Sequence, residues 1–127
     1  MSAFLEPDEA LARVQSEIAA AHARAAAATA LRTDLDRVRG VASSTGGEVR
    51  VEVDPSGRLT DLQIQDAAMD RSGRDLARIV VDLVQRAGQD AGRQAVAMTA
   101  AAFGEGDPVT AHLADEVAGR WGEEDPR

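Results

Sequence analysis

The sequence has no cysteine, no lysine and no tyrosine, and aromatic residues make up only 2% of its 127 positions. The absence of cysteine excludes disulfides, thiolate metal ligands and cysteine nucleophiles. With one Trp and two Phe, any hydrophobic core must consist mainly of aliphatic side chains. The length is typical of a single domain.

Bulky apolar side chains are also scarce. Hydrophobic residues make up 44% of the chain, but much of that share is alanine, and Leu, Val, Ile and Phe together number 26 of 127. This proportion is close to the level of about 20% below which chains tend to stay disordered. Small domains that cannot bury enough of their own surface often associate with a second copy. We therefore expect a homodimer.

Long hydrophobic runs are missing as well. The apolar stretch at residues 19–30 contains His22 and Arg24 and is shorter than the roughly 20 residues that span a bilayer. The first residues include Glu6 and Asp8, whereas a signal peptide begins with basic residues. The sequence predicts no membrane association and a cytoplasmic location.

Negative charge is concentrated near the C-terminus. The net charge of −8 divides into −1 for residues 1–40, −2 for residues 41–104 and −5 for residues 105–127. We therefore predict a nearly balanced domain at residues 1–104 and an acidic tail at residues 105–127. Val109, Leu113 and Val117 predict a short amphipathic helix at residues 109–121 of this tail, anchored by Trp121.

A β-hairpin is the clearest structural signal. Three valines at positions 49, 51 and 53 alternate with charged residues, and residues 59–65 alternate in the same way. Residues 54–57, Asp-Pro-Ser-Gly, are suited to a tight turn between these strands. Because an isolated hairpin is marginal in water, the flanking helices must cover its apolar face.

Two long helices flank the hairpin. The first begins at Pro7 and carries apolar residues at spacings of three and four as far as Gly40, a plausible C-terminal stop. This helix is roughly 45 Å long, whereas the strands are about 23 Å long, so part of the helix must project from the sheet or pack on a partner. The second helix spans about residues 74–102, with Ser72 as its N-cap and Asp75 three residues later. Gly88 and Gly92 within it predict a bend or a close crossing.

The Gly/Ser-rich residues 41–47 permit two interpretations. Residues 41–45 are compatible with a short edge strand. A phosphate-cradling loop is the alternative, but the Gly-Lys-Ser/Thr of such loops is missing and a strand follows.

The sequence contains no recognisable catalytic motif. His22 and His112 lack neighbours at the spacing of a metal site or a triad, and Ser43, Ser44 and Thr45 lack an evident base. We therefore predict that the protein is not an enzyme and has no metal site and no cofactor.

The helical arginines mostly have carboxylates three or four residues away. The predicted pairs are Glu9 with Arg13, Asp75 with Arg78, Asp82 with Arg86, and Asp90 with Arg93. The exceptions are Arg24, which has no acid at these spacings, and Arg50, which should lie on the polar face of the sheet. Such pairs are weak, so a phosphate group can compete with them.

The layout resembles that of the YbaB/EbfC nucleoid-associated proteins, with the actinobacterial branch most similar. The resemblance depends on Gly-Glu-Val-Arg-Val-Glu-Val-Asp at residues 47–54, Gly-Arg-Leu-Thr-Asp-Leu-Gln-Ile at residues 57–64, and the long helices on either side. It covers about residues 8–104. It implies an α+β protomer of order α-β-β-β-α, with a small antiparallel sheet and its first strand near residues 41–45. It also implies a dimer with projecting helical arms and DNA binding of low sequence specificity.

The first functional hypothesis is a dimeric nucleoid-associated protein that binds duplex DNA through its phosphates. The predicted DNA-binding residues are Arg13, Arg24, Arg32, Arg37, Arg39, Arg86 and Arg93. The acidic tail at residues 105–127 departs from the family pattern. It could screen these arginines or bind a protein partner. The alternative is therefore a protein-interaction or chaperone-like accessory module, as the resemblance implies for members associated with type VII secretion.

Overall fold

The computed structural model describes residues 6–122 and confirms an α+β fold. Its helices and strands are α1 (Pro7–Asp36), β1 (Gly40–Ser43), β2 (Val49–Val53), β3 (Leu59–Ile64), α2 (Gly73–Phe103) and α3 (Pro108–Trp121). The strands form one antiparallel sheet in the order β1-β2-β3. The predicted order α-β-β-β-α is therefore confirmed, and a third helix follows it.

The β2–β3 turn forms where the sequence predicts it. One carboxylate oxygen of Asp54 accepts hydrogen bonds from the amides of Ser56 and Arg58 and from the Ser56 hydroxyl. Gly57 has a φ of 91°, a conformation that glycine adopts without strain. These contacts close the hairpin and fix the register in which Val51 lies opposite Leu62.

The core lies between α2 and the first two strands. Val49, Val51 and Val53 of β2 are buried and pack with Leu83 and Ala87 of α2, among other residues. Small side chains let the helix approach the sheet closely. At Gly40, for example, a Cβ atom would overlap the Ala87 carbonyl oxygen. The close approach explains why residue 40 is a glycine. The sequence predicts Gly40 only as the C-terminal stop of the first helix, but α1 ends earlier, at Asp36.

The β3 strand is covered much less than β2. Its apolar residues Leu59, Leu62 and Ile64 are 44%, 39% and 38% exposed. Leu62 and Ile64 lie opposite Val51 and Val49, so all four side chains share the face on which α2 packs. Because α2 lies over β1 and β2, the single chain leaves an apolar strip of Leu59, Leu62 and Ile64 at one edge of the sheet.

The α1 helix has no buried residue. Its second half approaches the end of α2, where Arg24 lies over the ring of Phe103, the last residue of α2. The preceding residues 7–23, here called the arm, extend about 25 Å beyond that point at 1.5 Å per residue. Leu11, Val14 and Ile18 on the arm are 57%, 49% and 52% exposed.

Several boundaries differ from the predicted ones by a few residues. The first strand spans Gly40–Ser43, and a 3₁₀ turn with positive φ at Gly46 and Gly47 follows it. Ser44 ends the strand by accepting a hydrogen bond from the Val49 amide. The turn therefore links two strands, unlike a phosphate loop that opens a helix. Within residues 6–122, none of the helices has the length and apolar character needed to cross a membrane.

Candidate nucleic-acid interface

The predicted DNA-binding arginines are all exposed. Arg13, Arg24 and Arg32 lie on α1, Arg37 and Arg39 lie in the link to β1, and Arg86 and Arg93 lie on α2. Arg13 and Arg24 are separated by close to three helical turns and therefore share one side of α1, about 17 Å apart along its axis. The seven side chains thus form no single cluster: five lie on the two long helices and two lie in the link between α1 and β1.

Three of these arginines pair with acids on their own helix. Arg86 lies 3.5 Å from Asp82, and Arg93 lies 2.7 Å from Asp90, as predicted. Arg13 pairs with Glu17 at 3.4 Å, so the predicted pairing with Glu9 is wrong. Exposed pairs of this kind contribute only about 0.3–0.5 kcal/mol. A DNA phosphate can therefore replace the carboxylates at little cost.

Arg32 and Arg37 make no ion pair with any residue in the range 6–122. Close to them along the chain, the Arg39 guanidinium donates hydrogen bonds to the carbonyl oxygens of Asp36 and Val38. Three guanidinium groups therefore lie near the C-terminal end of α1 without a carboxylate partner among the described residues. This is the least neutralised part of the predicted interface.

The second helix brings Arg93 close to this region. Asp90, its ion-pair partner, accepts a hydrogen bond from the Val41 amide at 2.9 Å. Gln94 donates to the carbonyl oxygen of Arg39 at 3.0 Å. These contacts attach the α1–β1 link to α2, so Arg39 and Arg93 belong to the same part of the surface.

Arg86 lies in a separate groove between α2 and the loop after β1. Arg71 and Arg78 line the same groove, together with Ser44 and Thr45. The sequence did not indicate Arg71 or Arg78 as candidates. Arg78 makes no ion pair within residues 6–122, so the predicted pair with Asp75 is wrong, whereas Arg71 lies 3.3 Å from Glu48.

Arg24 has a partner that its local sequence does not reveal. Its guanidinium lies 3.0 Å from the carboxylate of Asp107, which is 83 positions away, and 4.7 Å from the centre of the Phe103 ring. The pKa of Asp107 is held below its ordinary value, first by a hydrogen bond from the Val109 amide and then by the one from Arg24. Asp107 is therefore ionised at neutral pH and neutralises one of the predicted contacts.

The α3 helix packs on α2 at Gly88 and Gly92, so that of the predicted bend or close crossing the structure shows the close crossing. A Cβ atom on Gly88 would overlap the indole of Trp121, and one on Gly92 would overlap the side chain of Val117. Gln85 and Gln89 donate hydrogen bonds to the carbonyl oxygen of Trp121. The acidic segment thus folds back on the domain through residue 122, and residues 123–127 lie outside the described part of the chain.

Comparison with protein families shows to which family this chain belongs. The model of the YbaB/EbfC DNA-binding family matches residues 8–106. The chain belongs to this family. No curated protein and no solved structure gives a significant match. The YbaB/EbfC match covers α1, the sheet and α2 and ends in the loop before α3, so that the α3 helix lies outside the region shared with the family.

Proposed function

We propose that this YbaB/EbfC protein is a nucleoid-associated homodimer that binds duplex DNA through phosphate contacts with low sequence specificity. Membership of a DNA-binding family supports the DNA partner and a location on the cytoplasmic nucleoid. The observation that carries the proposal is the exposed pair Arg32 and Arg37, which no carboxylate within residues 6–122 neutralises. The function proposed is binding, without a chemical reaction.

The distribution of the arginines favours phosphate contacts over base recognition. Helix α1 has 30 residues and is therefore about 45 Å long, which exceeds one turn of duplex DNA of about 34 Å. Arg13, Arg24 and Arg32 are spread along this length, whereas base reading requires several side chains within one groove. Phosphate contacts orient a protein on DNA but carry no sequence information directly.

The apolar strip of Leu59, Leu62 and Ile64 supports the dimer. These side chains lie at the edge strand of the sheet, and each is more than one-third exposed in the single chain. A second copy at this edge would cover them and extend the sheet, adding apolar burial to a core that contains few bulky residues. A dimer would also present two α1 arms to one DNA molecule.

A mobility-shift titration tests the DNA proposal. The full chain should shift two duplexes of unrelated sequence with similar affinity, and the affinity should fall steeply between low and moderate salt. The Arg32→Ala or Arg37→Ala substitution should weaken binding to both duplexes equally. Each should also reduce the slope of log affinity against log salt concentration by about one.

Arg74→Ala provides the matched control. Like Arg37, Arg74 is exposed and makes no ion pair among residues 6–122. It lies in the first turn of α2, however, and the start of α2 and the residues around Arg37 are at opposite ends of the sheet. Its replacement should leave affinity nearly unchanged. Failure of the full chain to shift either duplex at low salt would refute the proposal, and a strong preference for one duplex would refute its low specificity.

A further inference from the structure

The C-terminal helix is attached to the domain at both of its ends. At its start, the N-cap residue Asp107 pairs with Arg24 on α1. At its end, Trp121 packs on Gly88 of α2 and on Gly57 of the β2–β3 turn. Residues 105–122 are here called the strap. The strap therefore connects α1, α2 and the hairpin turn.

The strap places negative charge beside the proposed DNA contacts. Residues 105–122 contain four acids and one arginine, a net charge of −3. Besides the pair between Asp107 and Arg24, Glu105 lines the same α2–α3 groove as Arg93. The strap therefore neutralises one of the seven predicted contacts, Arg24, and adds an acidic residue to the groove that a second contact, Arg93, also lines.

The attachment of the strap is incomplete. Thr110 is the only buried residue of α3, while Leu113, Val117 and Trp121 are half-buried. An open groove of about 570 Å³ runs between α2 and α3, lined mainly by alanine and valine. Because segments with few buried contacts open locally at low free-energy cost, we expect this helix to be held less firmly than a core helix.

We propose that the strap is an autoinhibitory element, which competes with DNA phosphates for Arg24 and leaves α2 when DNA binds. This inference rests on the proposed function. It predicts that DNA affinity rises when the strap loses its ion pair with Arg24 or its attachment to α2. It also predicts that bound DNA exposes Trp121 to solvent.

The first test removes one charge and keeps the helix. In Asp107→Asn, the new side chain is an equally good N-cap, so α3 should persist while the ion pair with Arg24 is lost. Affinity for a duplex DNA should rise about two- to fivefold, the range expected for an exposed ion pair. In an Arg24→Ala background the same substitution should have no effect on affinity.

Asp115→Asn is the matched control for charge. Asp115 lies on the exposed side of α3 and makes no ion pair within the described part of the chain. Its replacement changes the net charge by the same amount as Asp107→Asn. Because it leaves Arg24 paired, it should raise affinity much less.

The second test detaches the strap. In Gly88→Ala the added methyl group occupies the position of the Trp121 indole, while alanine favours the α2 helix by about 1 kcal/mol over glycine. Trp121 is the only tryptophan, so its fluorescence reports the position of the strap directly. Emission should shift to longer wavelength in Gly88→Ala, and DNA affinity should rise by more than in Asp107→Asn.

Gly119→Ala is the control for this variant, because a Cβ atom there meets no other atom within 4 Å. It should change neither the emission nor the affinity. Addition of DNA to the unmodified protein should shift the emission as Gly88→Ala does.

The outcomes separate the two proposals. If the unmodified protein binds DNA, but Asp107→Asn and Gly88→Ala bind no more tightly and Trp121 emission stays constant, the strap is a permanent part of the fold and the inference is wrong. If neither the unmodified protein nor any variant binds DNA, the proposed function fails and the inference fails with it.

Discussion

Asp54 shows how one residue organises the hairpin. It accepts three hydrogen bonds from Ser56 and Arg58, and the Arg58 guanidinium lies 3.4 Å from its other carboxylate oxygen. The bond from the Ser56 hydroxyl is the largest cause of a pKa below the ordinary value of 3.8, followed by the amides of Arg58 and Ser56. The ionised form of Asp54 therefore stabilises the turn.

Asp54→Ala should lower the free energy of unfolding by about 1–2 kcal/mol at pH 7, because the turn loses these hydrogen bonds. Chemical denaturation followed by circular dichroism measures the difference. Asp70→Ala is the control, since Asp70 is exposed and makes no ion pair within residues 6–122. An effect no larger than that of Asp70→Ala would contradict the role assigned to Asp54.

The same variant carries a pH signature. Because the pKa of Asp54 is lower in the folded than in the unfolded protein, its charge contributes full stability above the ordinary pKa of 3.8. That contribution is lost as the pH falls through the folded pKa. The difference between the unmodified protein and Asp54→Ala should therefore be constant near neutrality and shrink below about pH 4.

Among the secondary-structure elements, those with strong local signals were predictable from the sequence. Valine alternation predicted β2, and α2 follows its apolar stripe, with Ser72 accepting the predicted capping hydrogen bond from the Asp75 amide. Contacts between distant segments were not predictable. The sequence offered no partner for Arg24, because Asp107 is far away along the chain. The spacing of Gly88 and Gly92 indicated a bend or a close crossing, but not which helix crosses.

The arm of α1 provides a prediction about local stability. Residues 7–23 extend past the end of α2, whereas Leu31 and Leu35 nearer its C-terminus are half-buried. Segments with few buried contacts open locally at low free-energy cost. In hydrogen-exchange mass spectrometry, amides of the arm should exchange faster than those of residues 27–36, and duplex DNA should slow them.

Strand β2 serves as the internal reference for this measurement, because its valines are buried. Its exchange should stay slow and should not change with DNA. Protection of the arm equal to that of residues 27–36 in the free protein would indicate that another surface already covers Leu11, Val14 and Ile18.

For the whole molecule, the composition predicted that the hydrophobic core is small, but it did not predict which part of the fold is left uncovered. Few bulky residues imply a thin core, and the structure places the deficit at β3, where three apolar side chains stay more than one-third exposed. The sequence did not indicate this site, because β2 and β3 alternate similarly and only the position of α2 over β1 and β2 distinguishes them. Likewise, charge alone was enough to predict Arg32 and Arg37 as DNA contacts. That neither has an ion-pair partner among the described residues could be seen only from the fold.

The proposed dimer can be tested with two neighbouring residues of β3. Leu62 lies on the apolar face of the sheet, and Gln63 lies on the opposite face. Leu62→Glu would place a charge in the proposed interface, where its burial without a partner is costly, so sedimentation should show a shift from dimer to monomer. Gln63→Glu adds the same charge on the other face and should leave the dimer intact. If the unmodified protein sediments as a stable monomer at micromolar concentration, the exposed strip has no second copy to cover it. The paired arms proposed to hold DNA would then not exist.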